Sequence, residues 1–102
     1  MLTTKEIKYI KKTTLYDENR LAYVFGALSD EKRLYIVKLL LEHDELCVTD
    51  VANIVDLSVS ATSRQLKILE LADIVKRRRC GQEICYFINK KNALLKCISK
   101  LI

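Results

Sequence analysis

Ser60, Ser63, Arg64 and Lys67 stand three or four residues apart, a spacing that gathers them on one side of a helix. Their chemistry is recognition rather than catalysis. Hydroxyls donate or accept hydrogen bonds, and cations pair with phosphates or base edges, with little bulk to hold the helix out of a major groove. Further along, Arg77, Arg78 and Arg79 form an unbroken basic run that ends at Cys80. The soft nucleophiles are Cys47, Cys80, Cys85 and Cys97, none in the paired CxxC spacing of a structural zinc site. The single histidine, His43, lies outside the basic region with no carboxylate–nucleophile pairing in sight, and no glycine-rich phosphate loop exists, so an enzyme is not expected.

The elements that must position these groups follow from periodicity. The stretch 49–71 reads as two short helices broken at a tight turn. Thr49 is placed to cap the first, whose apolar side is Val51, Ala52, Ile54 and Val55. Asp56, Leu57 and Ser58 make the break, and Ser58 or Ser60 caps the second helix. There Leu66, Leu69 and either Thr62 or Ile68 point inward, opposite Ser60, Ser63, Arg64 and Lys67. This is a helix-turn-helix pattern, and it predicts contact with duplex DNA.

Upstream, residues 3–16 form an amphipathic segment. Thr3 and Glu6 fit a capping box, and Ile7, Ile10 and Thr14 share a side. Asp17, Glu18 and Asn19 interrupt it. A helix from about Glu18 to Leu28 follows, with Leu21, Val24, Phe25 and Leu28 at helical spacing. Ser29 and Asp30 then cap Glu31–Glu42, whose Leu34, Ile36, Val37, Leu40 and Leu41 supply much of the core. Arg33, near that helix's start, reads as structural through Asp30 or Ser29. Asp44 and Glu45 read as a surface turn, and 46–48 as a short extended piece.

Downstream, 74–88 alternates as a hairpin with its tip at Gly81-Gln82. Ile84, Tyr86 and Ile88 face the core, and the three arginines necessarily alternate sides, so two of them face DNA. A hairpin after a helix-turn-helix is a wing, suited to phosphates or an adjacent minor groove. The last segment, from Asn89 to Ile102, shows a Leu94, Leu95, Ile98, Leu101 stripe. It reads as an oligomerisation helix, the alternative being a helix that covers its own core. With residues 1–16 it forms the expected dimer interface, from 90–102 and 1–16 of each copy. The expected fold is mostly α with a small β-hairpin wing, one domain over residues 1–102.

Charge agrees with this placement. The net charge is +5. Residues 57–102 hold ten cations against three acids, +7, while 16–56 hold four against nine, −5. Basic character therefore gathers where the reading helix lies, which favours a polyanionic partner. No apolar run reaches membrane-spanning length and the N-terminus is not a signal peptide, so a cytoplasmic location with free thiols is expected and a membrane partner is not.

Four strings now occur in order: FGALSDEKRLYIVKLLL, ELCVTDVA, LSVSATSRQLKILELADIV and RRRCGQEICYFI. Together, over roughly 21–88, they resemble the ArsR/SmtB winged-helix repressors. The resemblance implies a homodimer bound to double-stranded operator DNA and released by an inducer. It places the base-reading positions on Ser60, Ser63, Arg64 and Gln65, with the wing arginines as backbone contacts. Asp73 stands where such proteins often have a glycine, and Asp tolerates the left-handed conformation such a turn demands. Soft-metal sensors of this kind often carry Cys-Val-Cys-Asp, whereas this chain has Cys47-Val48-Thr49-Asp50. The zinc pattern of the last helix needs Asp and His where Lys90 and Asn92 stand.

The thiols suggest another inducer site. With a four-residue loop Cys80 and Cys85 oppose each other and can form a disulfide; with a two-residue loop they are offset. Arg78 and Arg79 beside Cys80 favour thiolate chemistry. The expectation is that Cys80 and Cys85, with Cys47 or Cys97, sense an oxidant, reactive sulfur or a thiophilic metal. No cofactor is otherwise required. Against it stands the reading in which Cys47 and Cys97 are small buried hydrophobes and the wing thiols are incidental. The remaining alternatives are a winged-helix regulator that senses nothing and a protein–protein module that no longer binds DNA.

Overall fold

Hydrophobic spacing and caps set where each element starts, and the computed structural model, which describes residues 1–13 and 18–102, follows them closely. The order is α1 (Thr4–Thr13), α2 (Glu18–Leu28), α3 (Glu31–Glu42), β1 (Leu46–Cys47), α4 (Val48–Val55), α5 (Val59–Leu71), β2 (Val75–Cys80), β3 (Glu83–Ile88) and α6 (Ala93–Ile98). The expectations for Thr14 and Asp17 lie outside the described residues. The strands form one antiparallel sheet in the order β1-β3-β2. This is a winged helix-turn-helix.

The core lies between α3, α4 and α5 and the inner face of the sheet. Ile36, Val37, Val51, Val55, Leu66, Leu69, Ile74 and Val75 are all fully buried there. Each contributes roughly 1.5–3 kcal/mol of burial. Tyr86 and Ile88 complete the sheet side, and Ile84 packs at its margin. On α3 the inward row uses Leu39 in place of Leu41, which is exposed.

Two helices differ more. On α2, Val24 and Ala27 are buried, while Leu21 and Phe25 are 37% and 55% exposed. Helical spacing puts all of them on one broad apolar face, but the chain's own core takes only part of it. Similarly α1 buries none of its side chains. The sixth helix is shorter than Asn89–Ile102 because Asn92 caps it, accepting from the Leu95 N–H, and it ends at Ile98. Leu95 is 2% exposed within the core, so this helix closes the domain with at least one residue.

Capping accounts for the other boundaries. The Thr3 hydroxyl accepts from the Glu6 N–H at 3.1 Å, as the capping box requires. Asp30 caps α3 through the Arg33 N–H. Thr49 does not cap α4: that helix begins two residues earlier, with Cys47 at the cap and Val48 already helical rather than extended. The Thr49 hydroxyl instead donates to Glu83 Oε1 at 3.1 Å.

Candidate nucleic-acid interface

The turn of the helix-turn-helix is made by Asp56, whose φ of 58° ends α4 in the left-handed region that aspartate tolerates. Ser58, not Ser60, caps α5 by accepting from the Ala61 N–H at 3.1 Å. Lys32 on α3 donates its ammonium to the Val55 carbonyl at 2.7 Å and so satisfies the exposed end of α4. These three contacts fix the direction of α5.

On α5 the inner face is Thr62, Leu66 and Leu69, all buried. Thr62 rather than Ile68 takes the inward position, and its hydroxyl has no hydrogen-bond partner among the described residues. The outer face presents Ser60, Arg64 and Lys67 to solvent, with Ser63 half-buried beside them. Gln65 is different. Its Oε1 accepts from Arg33 Nη1 at 3.0 Å while Arg33 Nε donates to the Ala27 carbonyl at 2.7 Å. Arg33 is structural, as expected, but through α2 and α5 rather than through the side chain of Asp30 or Ser29.

At the far end, Asp73 adopts φ 62°, the left-handed turn expected between reading helix and wing. Its carbonyl accepts from both Asn89 Nδ2 and Asn92 Nδ2 at 3.0 Å. Asn92 therefore has a structural task at the place where a zinc ligand would stand.

The hairpin takes a two-residue loop, with Cys80 opposite Glu83 and Gly81 at φ 66°. The arginines do alternate. Arg77 and Arg79 share a face with Val75, and Arg78 lies on the other with Cys80 and Cys85. Each already has a partner. Arg77 Nε pairs with Glu70 at 3.2 Å, and Arg79 Nε donates to the Gly81 carbonyl at 3.2 Å. Arg78 grips both carboxylate oxygens of Glu45, at 3.1 and 2.6 Å. Those bonds hold the Glu45 carboxyl below the ordinary glutamate range, against an opposing effect of burial. Burial likewise pushes the Tyr86 phenol up, helped by Glu70 and opposed by Arg77.

With that loop Cys80 and Cys85 are offset, so the wing does not join its own two arms. Cys85 pairs with Cys47 across β1 and β3, and the two form a disulfide. Cys80 is free and donates to Glu45 Oε1 at 3.4 Å. Cys97 is free and exposed on α6, apart from this cluster. Glu45 had looked like part of a surface turn; only the strand pairing reveals that it faces the wing.

The profile of the bacterial regulatory protein, arsR family, matches residues 30–77, the whole of α3, α4, α5 and the first part of the wing. The solved structure of the transcriptional repressor PagR of Bacillus anthracis is 34% identical, with a TM-score of 0.69 over 81% of this chain and 92% of that one. The chain belongs to the arsR family. Another solved relative, HlyU from Vibrio cholerae, is 26% identical with a TM-score of 0.73, covering 86% of this chain and 97% of its own. The cadmium resistance transcriptional regulatory protein CadC of Listeria innocua is 43% identical over 77 residues, 76% of this chain. The chain spans 65% of that relative's length.

Proposed function

We propose that this arsR-family chain is a homodimeric repressor that binds double-stranded operator DNA in the cytoplasm, acting by occupancy and not by catalysis. The observation that carries this is the outer face of α5: small hydroxyls at its start, then Arg64 and Lys67, all solvent-facing on a helix whose inner face is locked in the core. Arg64 reads a base edge, with Ser60 and Ser63 beside it. Lys67 and the wing residues Arg77, Arg78 and Arg79 neutralise phosphates, and Gln65 contributes through its amide nitrogen while Arg33 holds its oxygen.

Two copies meet through the apolar surfaces their own cores leave uncovered. Ile7 and Ile10 of α1, Phe25 of α2 and Leu101 after α6 are large and exposed. A two-fold dimer then sets two α5 helices about one DNA turn apart, on a pseudo-palindromic site. DNA affinity responds to the state of the thiols along the outer half of the wing, Cys47, Cys80 and Cys85, rather than to Cys97.

Selection of bound sequences from a random duplex pool, with and without a reductant, tests this. The expected result is an inverted repeat whose recovery changes with reductant. Recovery of no preferred sequence in either condition would overturn the base-reading role of α5.

A further inference from the structure

Toward the tip of the wing, three segments bring thiols and a carboxylate to one point. Glu45 and Cys47 come from the turn and β1, Cys80 from the end of β2 and Cys85 from β3. The ligating atoms of Glu45, Cys80 and Cys85 all lie within 4.8 Å of one another, and Cys47 Sγ is bonded to Cys85 Sγ. Ligands about 2.3 Å from a tetrahedral ion stand about 3.8 Å apart, so closing this set requires shifts of about 1 Å. Cys80, at the end of β2 beside the hairpin loop, and Glu45, in the turn before β1, are only half-buried, so such shifts meet little packing.

We propose that the reduced chain binds one soft divalent cation through the thiolates of Cys47, Cys80 and Cys85, with a Glu45 oxygen completing a four-coordinate set. This deepens the thiol-responsive reading above and rests on it for its regulatory meaning, although the binding itself needs no DNA. Three sulfurs and one oxygen select thiophilic ions and reject magnesium and calcium.

The step balances simply. A dithiol reductant first gives two electrons and two protons to the Cys47–Cys85 disulfide and is itself oxidised. The cation then displaces three thiol protons to solvent, no further electrons move, and the local charge falls from −1 on Glu45 to −2. Glu45 also turns away from Arg78, whose fork it now fills. Arg78 is therefore a competitor for the fourth ligand. Oxidation and metal binding are mutually exclusive uses of Cys47 and Cys85.

Titration of the full reduced chain with Cd²⁺ alone, following the ultraviolet thiolate-to-cadmium charge-transfer band, tests the site without DNA. One equivalent per chain is expected. Cys80→Ser should lose part of the band and at least about tenfold in affinity. Glu45→Gln should lose less, Arg78→Ala should bind more tightly than wild type, and Cys97→Ser should match wild type. Chain oxidised to the Cys47–Cys85 disulfide should give no band. Cys85 is 3% exposed, so its replacement risks the fold; Cys80 and Arg78 carry the test instead. Wild-type titration by Cys80→Ser, or loss of half the cadmium in Cys97→Ser, would overturn the site. Cadmium binding as expected in a chain that selects no DNA sequence would overturn the proposed function and leave the site standing.

Discussion

The outer face of α5 and the wing are both basic, yet they hold their cations in opposite ways. On α5 Arg64 and Lys67 extend from a helix whose backbone is capped by Ser58 and braced through Lys32, and they have no salt-bridge partner among the described residues. On the wing Arg77, Arg78 and Arg79 are each engaged, by Glu70, Glu45 and the Gly81 carbonyl. The outer face of α5 is thus unencumbered in the free protein, as the proposed DNA contact requires. In the proposed DNA complex the wing must break internal contacts first, so its contribution there depends on what happens to Glu45 and Glu70.

The largest expected effect lies behind the reading face. Leu66→Ala, at a fully buried position, should cost about 2–5 kcal/mol of stability in urea unfolding. A variant as stable as wild type would show that α5 is not anchored by its inner row. Arg64→Ala, on the opposite side of the same helix, should leave stability within about 0.5 kcal/mol. It should weaken operator binding by roughly 1–3 kcal/mol and relax the sequence preference. An unchanged footprint would remove Arg64 from the reading face.

Thr62→Val replaces a buried hydroxyl that has no partner among the described residues, and should raise stability by about 1 kcal/mol. Thermal unfolding checks it, and a loss would reveal a hidden partner for that oxygen. Smallest is Glu45→Gln, which loosens Arg78 without removing it. Binding to random DNA should tighten and the salt slope steepen by up to about 0.9. An unaltered slope would mean that the Glu45–Arg78 pair does not restrain the wing.

Local chemistry made much of this molecule legible. Asp56 and Asp73 were readable as turn residues because they are among the few that accept a positive φ. The hairpin tip followed from a glycine between alternating strands, and the reading face from helical spacing. What escaped was set by pairing between distant segments. Cys47 meets Cys85 across a separation of 38 residues, and Glu45 meets Arg78 across 33. Both depend on β1 joining the outer edge of β3, and a strand of two residues has no periodicity to announce it. Gln65 illustrates the same limit. The family resemblance made it a base-reading position, while the partner that restrains it lies 32 residues away on α3. The α2 surface shows a related limit: apolar spacing tells which side of a helix avoids water, not whether the same chain or another covers it.

The carbonyl of Asp73 is pinned by two asparagines, one following β3 and one at the start of α6. That single oxygen makes a mechanical linkage between the end of the recognition element and the C-terminal helix. If α6 is clasped by a second copy, the pitch at which each α5 meets its groove is set by the clasp, as a hinge pin sets the angle of two leaves. Severing the linkage with Asn92→Ala would let the leaves swing independently, so tolerance for half-site spacing would widen while each half-site was still read.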